Sequence, residues 1–138
     1  MTILLDTNII LDALQERHPF DMPAKEILLR GQGGEFSCLI TANATADIFY
    51  LYSKARDVNT ASTALDFLLT TYQVVSITHE DCMEALALPL SDYEDALVTV
   101  CAKKANADYI ITRDDELLRT CPSVEAISAQ DFVNKHPL

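Results

Sequence analysis

Glycine is nearly absent from this chain: there are three in 138 residues, all in one cluster at Gly31, Gly33 and Gly34. Neither G-x-G-x-x-G nor G-x-x-x-x-G-K can be written from them, which excludes phosphate binding by a glycine-rich loop. Paired zinc ligands are missing as well. Cys38, Cys82, Cys101 and Cys121 contain no C-x-x-C, and His18, His79 and His136 stand alone. No zinc motif assembles locally, and the cysteines are expected to be buried, reduced thiols. No apolar run approaches the roughly 18 residues of a membrane span, and the N-terminus has neither the basic start nor the small-residue cleavage site of a signal peptide. The expectation is a soluble, cytoplasmic protein with no membrane partner. Positive charge is also scarce, with 10 basic against 21 acidic residues and a net charge of -11. Such a surface repels polyanions on average and argues against nucleic-acid binding through the general field of the protein. An acidic excess fits either a solubilising surface or carboxylates gathered around a cation. Composition does not separate the two; position does.

What is present is a chain 49% hydrophobic, of a length that supports one core and one domain over residues 1–138. Short β-rich runs alternate with helical patterns, which predicts an α/β fold with a mostly parallel sheet of about five strands. Strands are expected near Ile3–Leu5, Ser37–Ile40, Val74–Ile77, Tyr109–Thr112 and Val124–Ile127. Helices are expected over Thr7–Leu14 and Met22–Arg30, and after Thr41, where Ala44, Ile48, Leu51, Tyr52 and Ala55 recur at helical spacing. Others fall over Ala61–Thr71, Glu80–Leu88, Glu116–Arg119 and Ala129–Asn134. The clearest helix opens with SDYEDALVTVCAKKA, where Ser91 and Glu94 read as a capping box.

In such a sheet, ligands bind outside the carboxyl ends of the strands. In ILLDTNIILDA, Asp6 directly follows the first apolar run, and Asp114 lies just beyond Thr112 at the end of another. Taken singly, each reads as a helix cap as readily as a ligand. Asp92 and Asp95 open the capped helix, where the macrodipole favours acids; it explains Asp92 better than the deeper Asp95. Asp47 interrupts the helical stretch TANATADIFYLYSK, among apolar neighbours and against its own helix propensity. It faces either solvent or a polar site. Several acids converging on one sheet edge repel one another unless a cation neutralises them. An all-oxygen donor set favours Mg²⁺ or Mn²⁺, and magnesium so held grips phosphate oxygens. A phosphodiester is the substrate that this chemistry suggests.

With LLDTNIILDAL at the start, ITANATADIFYLYSK in the first third, DYEDALVTVCAKKANADYIITRDDELL in the last third and AISAQDFV near the end, the whole chain resembles a PIN-domain ribonuclease. It is most similar to the small stand-alone VapC-like toxins of toxin–antitoxin pairs. The resemblance implies a three-layer α/β/α fold and an endoribonuclease that uses Mg²⁺ or Mn²⁺. It implies catalytic roles for Asp6, Asp47, Asp95 and Asp114, with Asp6, Asp95, Asp114 and Asp92 on the metal. Asn8 and Thr112 support the site, and Asp115 competes with Asp114 for the fourth acidic position. Asp47 stands where many relatives carry glutamate, one methylene longer. The resemblance further implies an RNA substrate, an antitoxin partner and a homodimer.

On an acidic protein, RNA must be met by local cations. Arg113, beside the site, and Lys54 with Arg56 are the candidates, followed by Lys103 with Lys104. Two other readings compete with the nuclease: a PIN fold serving as a binding module without catalysis, and an acidic receiver-like signalling domain. The latter lacks the expected acid pair after the first strand and the lysine after the fifth.

Overall fold

In a computed structural model that describes residues 1–138, the five β-rich runs form β1 (Thr2–Leu5), β2 (Ser37–Thr41), β3 (Gln73–Val75), β4 (Tyr109–Ile111) and β5 (Glu125–Ile127). The helices are α1 (Thr7–Leu14), α2 (Asp21–Gln32), α3 (Ala42–Ala55), α4 (Val58–Thr71), α5 (His79–Ala87), α6 (Tyr93–Lys104), α7 (Asp115–Thr120) and α8 (Ala129–Lys135). All four strand pairings are parallel, in the order β3-β2-β1-β4-β5.

Alternation along the strands divides the core into two layers. Ile3, Leu5, Cys38, Ile40 and Ile111 face the side packed by α1, α2, α3, α4 and α8. Leu4, Leu39, Val75 and Ile110 face Val98, Cys101 and Ala102 of α6. Helix α6 is in turn covered by α5, through Ala85 against Ala96, Leu97 and Val100. The result is the three-layer α/β/α arrangement. It explains why the strands read as apolar runs: a sheet covered on both faces buries neighbouring side chains on either side, leaving only Ser37, Gln73 and Glu125 at the strand starts exposed. It also explains why α6 is buried from Asp95 through Ala102, since it lies between the sheet and α5.

The chain winds from β1 outward to β2 and β3, then returns to β4 on the other side of β1. The winding therefore reverses between β1 and β4, and the crevice at their carboxyl ends is the place where such sheets bind ligands. This order is not the 2-1-3-4-5 of receiver-type folds, which removes the signalling-domain reading.

Two expectations need correction. The third strand is Gln73–Val75 rather than Val74–Ile77, because its ladder ends opposite Thr41 and Ile77 turns into the packing between α5 and α6. Leu51 is 41% exposed, because the buried stripe of α3 is Ala44, Ile48 and Tyr52. All four cysteines are free thiols. Burial pushes the Cys38 and Cys101 thiols up to about 12 and about 11, which leaves both unreactive at neutral pH.

Candidate active site

Asp6 leaves β1 as the N-cap of α1, with Oδ1 accepting from the Thr7 N–H at 2.8 Å. Its other oxygen, Oδ2, accepts from Thr112 Oγ1 at 2.8 Å. The cap and the site are therefore one residue with two oxygens in different uses. Burial raises the Asp6 pKa; the Thr112 and Thr7 hydrogen bonds pull it back, and the charges of Asp114 and Asp92 push it up again.

Thr112, fully buried, is the hinge of the arrangement. While it donates to Asp6, its oxygen accepts from the Asp114 backbone N–H at 3.1 Å. Asp114 is the N-cap of α7, with Oδ1 accepting from the Leu117 N–H at 3.0 Å. Asp115 is exposed in the first turn of α7. It is Asp114 whose charge acts on Asp6 and Asp95.

Asp92, exposed, caps α6 by accepting from the Glu94 and Asp95 N–H groups at 2.8 and 3.2 Å. The expected Ser91–Glu94 capping box does not form. The overlapping acid one residue later takes the cap, and Ser91 bonds instead to Glu116, through its N–H at 3.1 Å and its hydroxyl at 2.9 Å. Three helix N-termini, those of α1, α6 and α7, thus converge here, each capped by an aspartate. Their positive ends offset part of the repulsion among the carboxylates.

The offset is incomplete at Asp95. This residue is 8% exposed, and its Oδ2 is buried without a hydrogen-bond partner. Burial, followed by the charges of Asp114, Asp92 and Asp6 and by a side-chain hydrogen bond shared with Asp114, pushes its pKa up to about 7; Oδ2 itself has no donor. An oxygen in this state takes up either a proton or a cation. As the side chains stand, no three of them close around one point at ligand distance. The donor set is nevertheless all carboxylate oxygen, and the orphaned oxygen is the place where a hard cation relieves the largest cost.

Asp47 is half-buried in α3. Its charge raises Glu94 and is not among the influences on Asp6 or Asp95, so it joins the group only at the edge. Glu94, which sequence reasoning treated as a cap partner, is the residue through which it does so: its carboxyl is raised by burial, then by Asp47, Asp92 and Asp6. Asn8 is exposed on the first turn of α1 and bonds to none of the carboxylates.

The basic candidates are bound elsewhere or lie at a distance, although the charge of Asp6 is felt at Arg113. Arg113 forms a fork onto Asp12, with Nε to Oδ2 at 2.8 Å and Nη2 to Oδ1 at 2.9 Å. Its guanidinium lies over the Phe20 ring at 4.4 Å. The guanidinium is thus committed to Asp12, a residue with no exposed surface. Asp12 was the other residue missed by sequence reasoning, although a charge on the buried face of α1 needs a partner as much as Asp6 does. Lys103 and Lys104 are engaged by Glu84 and Asp81 of α5. Lys54 and Arg56 are exposed at the far end of α3, with Lys54 over the Tyr50 ring at 5.3 Å. Along the helix axis Lys54 lies roughly 10 Å beyond Asp47.

The chain is similar to ribonuclease VapC1 of Aquifex aeolicus (strain VF5), at 23% identity over 141 residues, covering 96% of this chain and 94% of the relative. Its fold is similar to that of a chain in the crystal structure of VapBC2 from Rickettsia felis bound to a DNA fragment from their promoter, with a TM-score of 0.69 and 19% identity over 93% of this chain and 98% of that one. A toxin-antitoxin complex from Klebsiella pneumoniae gives a TM-score of 0.68 at 20% identity, over 92% and 97% of the respective chains. The PIN domain family model matches residues 2–116, the greater part of the sequence, and the chain belongs to the PIN-domain family.

Proposed function

We propose that this protein is a divalent-metal-dependent endoribonuclease and the toxin of a toxin–antitoxin pair. The observation that carries the reading is the buried, unpartnered Oδ2 of Asp95, set among Asp6, Asp92 and Asp114 at the switch between β1 and β4. Asp6, Asp95 and Asp114 would hold the ion, Mg²⁺ or Mn²⁺, with Asp92 and Asp47 contributing directly or through water. When bound, such an ion lowers the pKa of a water for in-line attack and neutralises charge on the scissile phosphate. The chain's own residues do the positioning. Thr112 orients Asp6 and keeps the backbone of Asp114 beside it, and Asp92 fixes the first turn of α6 so that Asp95 is held in the crevice. The products carry 5′-phosphate and 3′-hydroxyl ends.

The RNA substrate is supported by the ribonuclease relative, and an antitoxin partner by the toxin–antitoxin complexes that share the fold. Lys54 and Arg56, exposed and without a carboxylate partner, are proposed to meet RNA, and exposed Arg119 on α7 is likewise free of a carboxylate. A homodimer and a cytoplasmic site of action complete the proposal. No helix is long and apolar enough to cross a membrane, and free thiols suit a reducing compartment.

A second reading, a PIN fold used only for binding, is favoured by the peripheral place of Asp47. Incubation with total RNA and Mn²⁺, with the cleaved ends mapped, separates the two. The nuclease cuts, and neither chelated protein nor Asp6→Asn does; cleavage that survives either treatment refutes the metal mechanism. A wild type that binds Mn²⁺ and leaves RNA intact is the binding module.

A further inference from the structure

We propose that Arg113 is a positioning residue for this site, its fork onto Asp12 bracing the strap Thr112–Asp114 so that Asp114 is held against Asp6. The inference rests on the metal-site reading above.

Three consecutive residues leave β4, and each is tied differently. Thr112 is tied to Asp6 at the start of α1, and Asp114 is tied back to Thr112 through its N–H. The backbone ties here are the Asp6 N–H to Ile111 O at 2.9 Å and the Thr112 N–H to Ile127 O at 3.0 Å, both at or before Thr112; beyond Thr112 they leave the strap no second anchor on the β1–α1 unit to stop it pivoting. Arg113 supplies the second. Asp12 lies six residues after Asp6 on the same helix, roughly 9 Å further along its axis. Both of its oxygens are taken by the guanidinium. Two anchors at that separation remove the pivot.

The far end of the brace is itself fixed. Asp12 has no exposed surface, Arg17 Nη1 approaches its Oδ1 at 3.6 Å, and the Phe20 ring lies under the guanidinium at 4.4 Å. A planar fork holding both oxygens of a carboxylate sets orientation as well as distance, which an ammonium does not. The same commitment explains why a cation adjacent in sequence to the acidic site is not turned toward it.

Free Mn²⁺, counted by electron paramagnetic resonance, gives the affinity of the metal site without reference to RNA cleavage. The titration is run at a temperature at which each protein is folded. Arg113→Gln is expected to weaken Mn²⁺ binding by about tenfold or more, the usual loss when the support behind a ligand is removed. Arg113→Lys, which keeps the charge and loses the fork, recovers only a minor part of the affinity, and Asp12→Asn weakens it like Arg113→Gln. Tyr72→Phe, which removes the bond from the Tyr72 hydroxyl to the Leu28 carbonyl far from the site, lowers the melting temperature and leaves Mn²⁺ affinity at the wild-type value. If Arg113→Gln does not fold, Arg113→Lys and Asp12→Asn carry the comparison. Wild-type affinity in the folded Arg113 or Asp12 variants overturns the brace. Absence of binding by the wild type overturns the metal site itself, a separate result.

Discussion

Thr112 donates its hydroxyl proton to Asp6 across 2.8 Å, although 106 positions separate the two in sequence. The same oxygen accepts the Asp114 N–H, so one buried hydroxyl joins the ends of β1 and β4. Thr112→Val keeps the shape of the side chain and leaves both partners unsatisfied. It is expected to cost about 1–3 kcal/mol in chemical denaturation and to reduce metal-dependent cleavage by about 10- to 100-fold. Thr112→Ser, which retains the hydroxyl, keeps most of both.

The raised carboxyl of Asp95 sets a pH dependence with a definite sign. In the folded, metal-free chain it keeps its proton up to about pH 7, whereas an unfolded aspartate loses it near about 3.9. Between those values the folded state binds more protons than the unfolded state, so stability falls as pH rises through the window. Asp6 and Glu94, also raised, act in the same direction. Asp57 and Asp81, both lowered, lose their contribution only when pH falls below the ordinary carboxylate range. Scanning calorimetry in a chelator should therefore give a higher melting temperature at about pH 5.5 than at about pH 8. Asp95→Asn should flatten most of that slope and raise the melting temperature at the higher pH.

Gly31 lies inside α2, where a glycine is normally a liability of about 1 kcal/mol relative to alanine. Here a Cβ would collide with Cys38 Sγ on β2. Gly31→Ala is expected to destabilise by about 1–3 kcal/mol despite its better helix propensity. Adding Cys38→Ala should recover most of that loss by opening the space. Urea denaturation of the three proteins measures the coupling.

Lys54 and Arg56 are exposed, with no carboxylate partner. Replacing either with alanine is expected to leave stability within about 0.5 kcal/mol. RNA binding should weaken at low salt, with the slope of log affinity against log salt reduced by about 0.7 for each phosphate that the variant no longer neutralises. An unchanged slope would place the RNA path elsewhere.

Local pattern was enough to locate the helices and strands, because each signal was carried within one element: the apolar runs before Asp6 and Thr112, the Thr41 cap, and the 3.6-residue stripe of α3. Errors arose where two local signals overlapped or where the deciding partner was distant. SDYED contains two possible caps one residue apart, and the choice between them depended on Glu116, 25 positions away. Arg113 adjoins Asp114, but the carboxylate that it forks onto, Asp12, lies 101 positions upstream, beyond the reach of local pattern. The acids at the sheet edge were legible because an aspartate at the end of a buried strand is unusual whichever role it serves. Their mutual placement was not, since it depends on strand order, and Glu94 was hidden behind a plausible role as a cap.

The crevice between β1 and β4 is proposed to hold a divalent cation, with Asp95 as its uncompensated oxygen donor. The most direct test is the titration of the Asp95 carboxyl, followed by carbon-detected nuclear magnetic resonance without metal and in saturating Mg²⁺. The midpoint should lie near about 7 without metal and fall below about 4 with it, since a ligand must be deprotonated to bind. A midpoint that Mg²⁺ leaves in place would show that no cation is bound at Asp95.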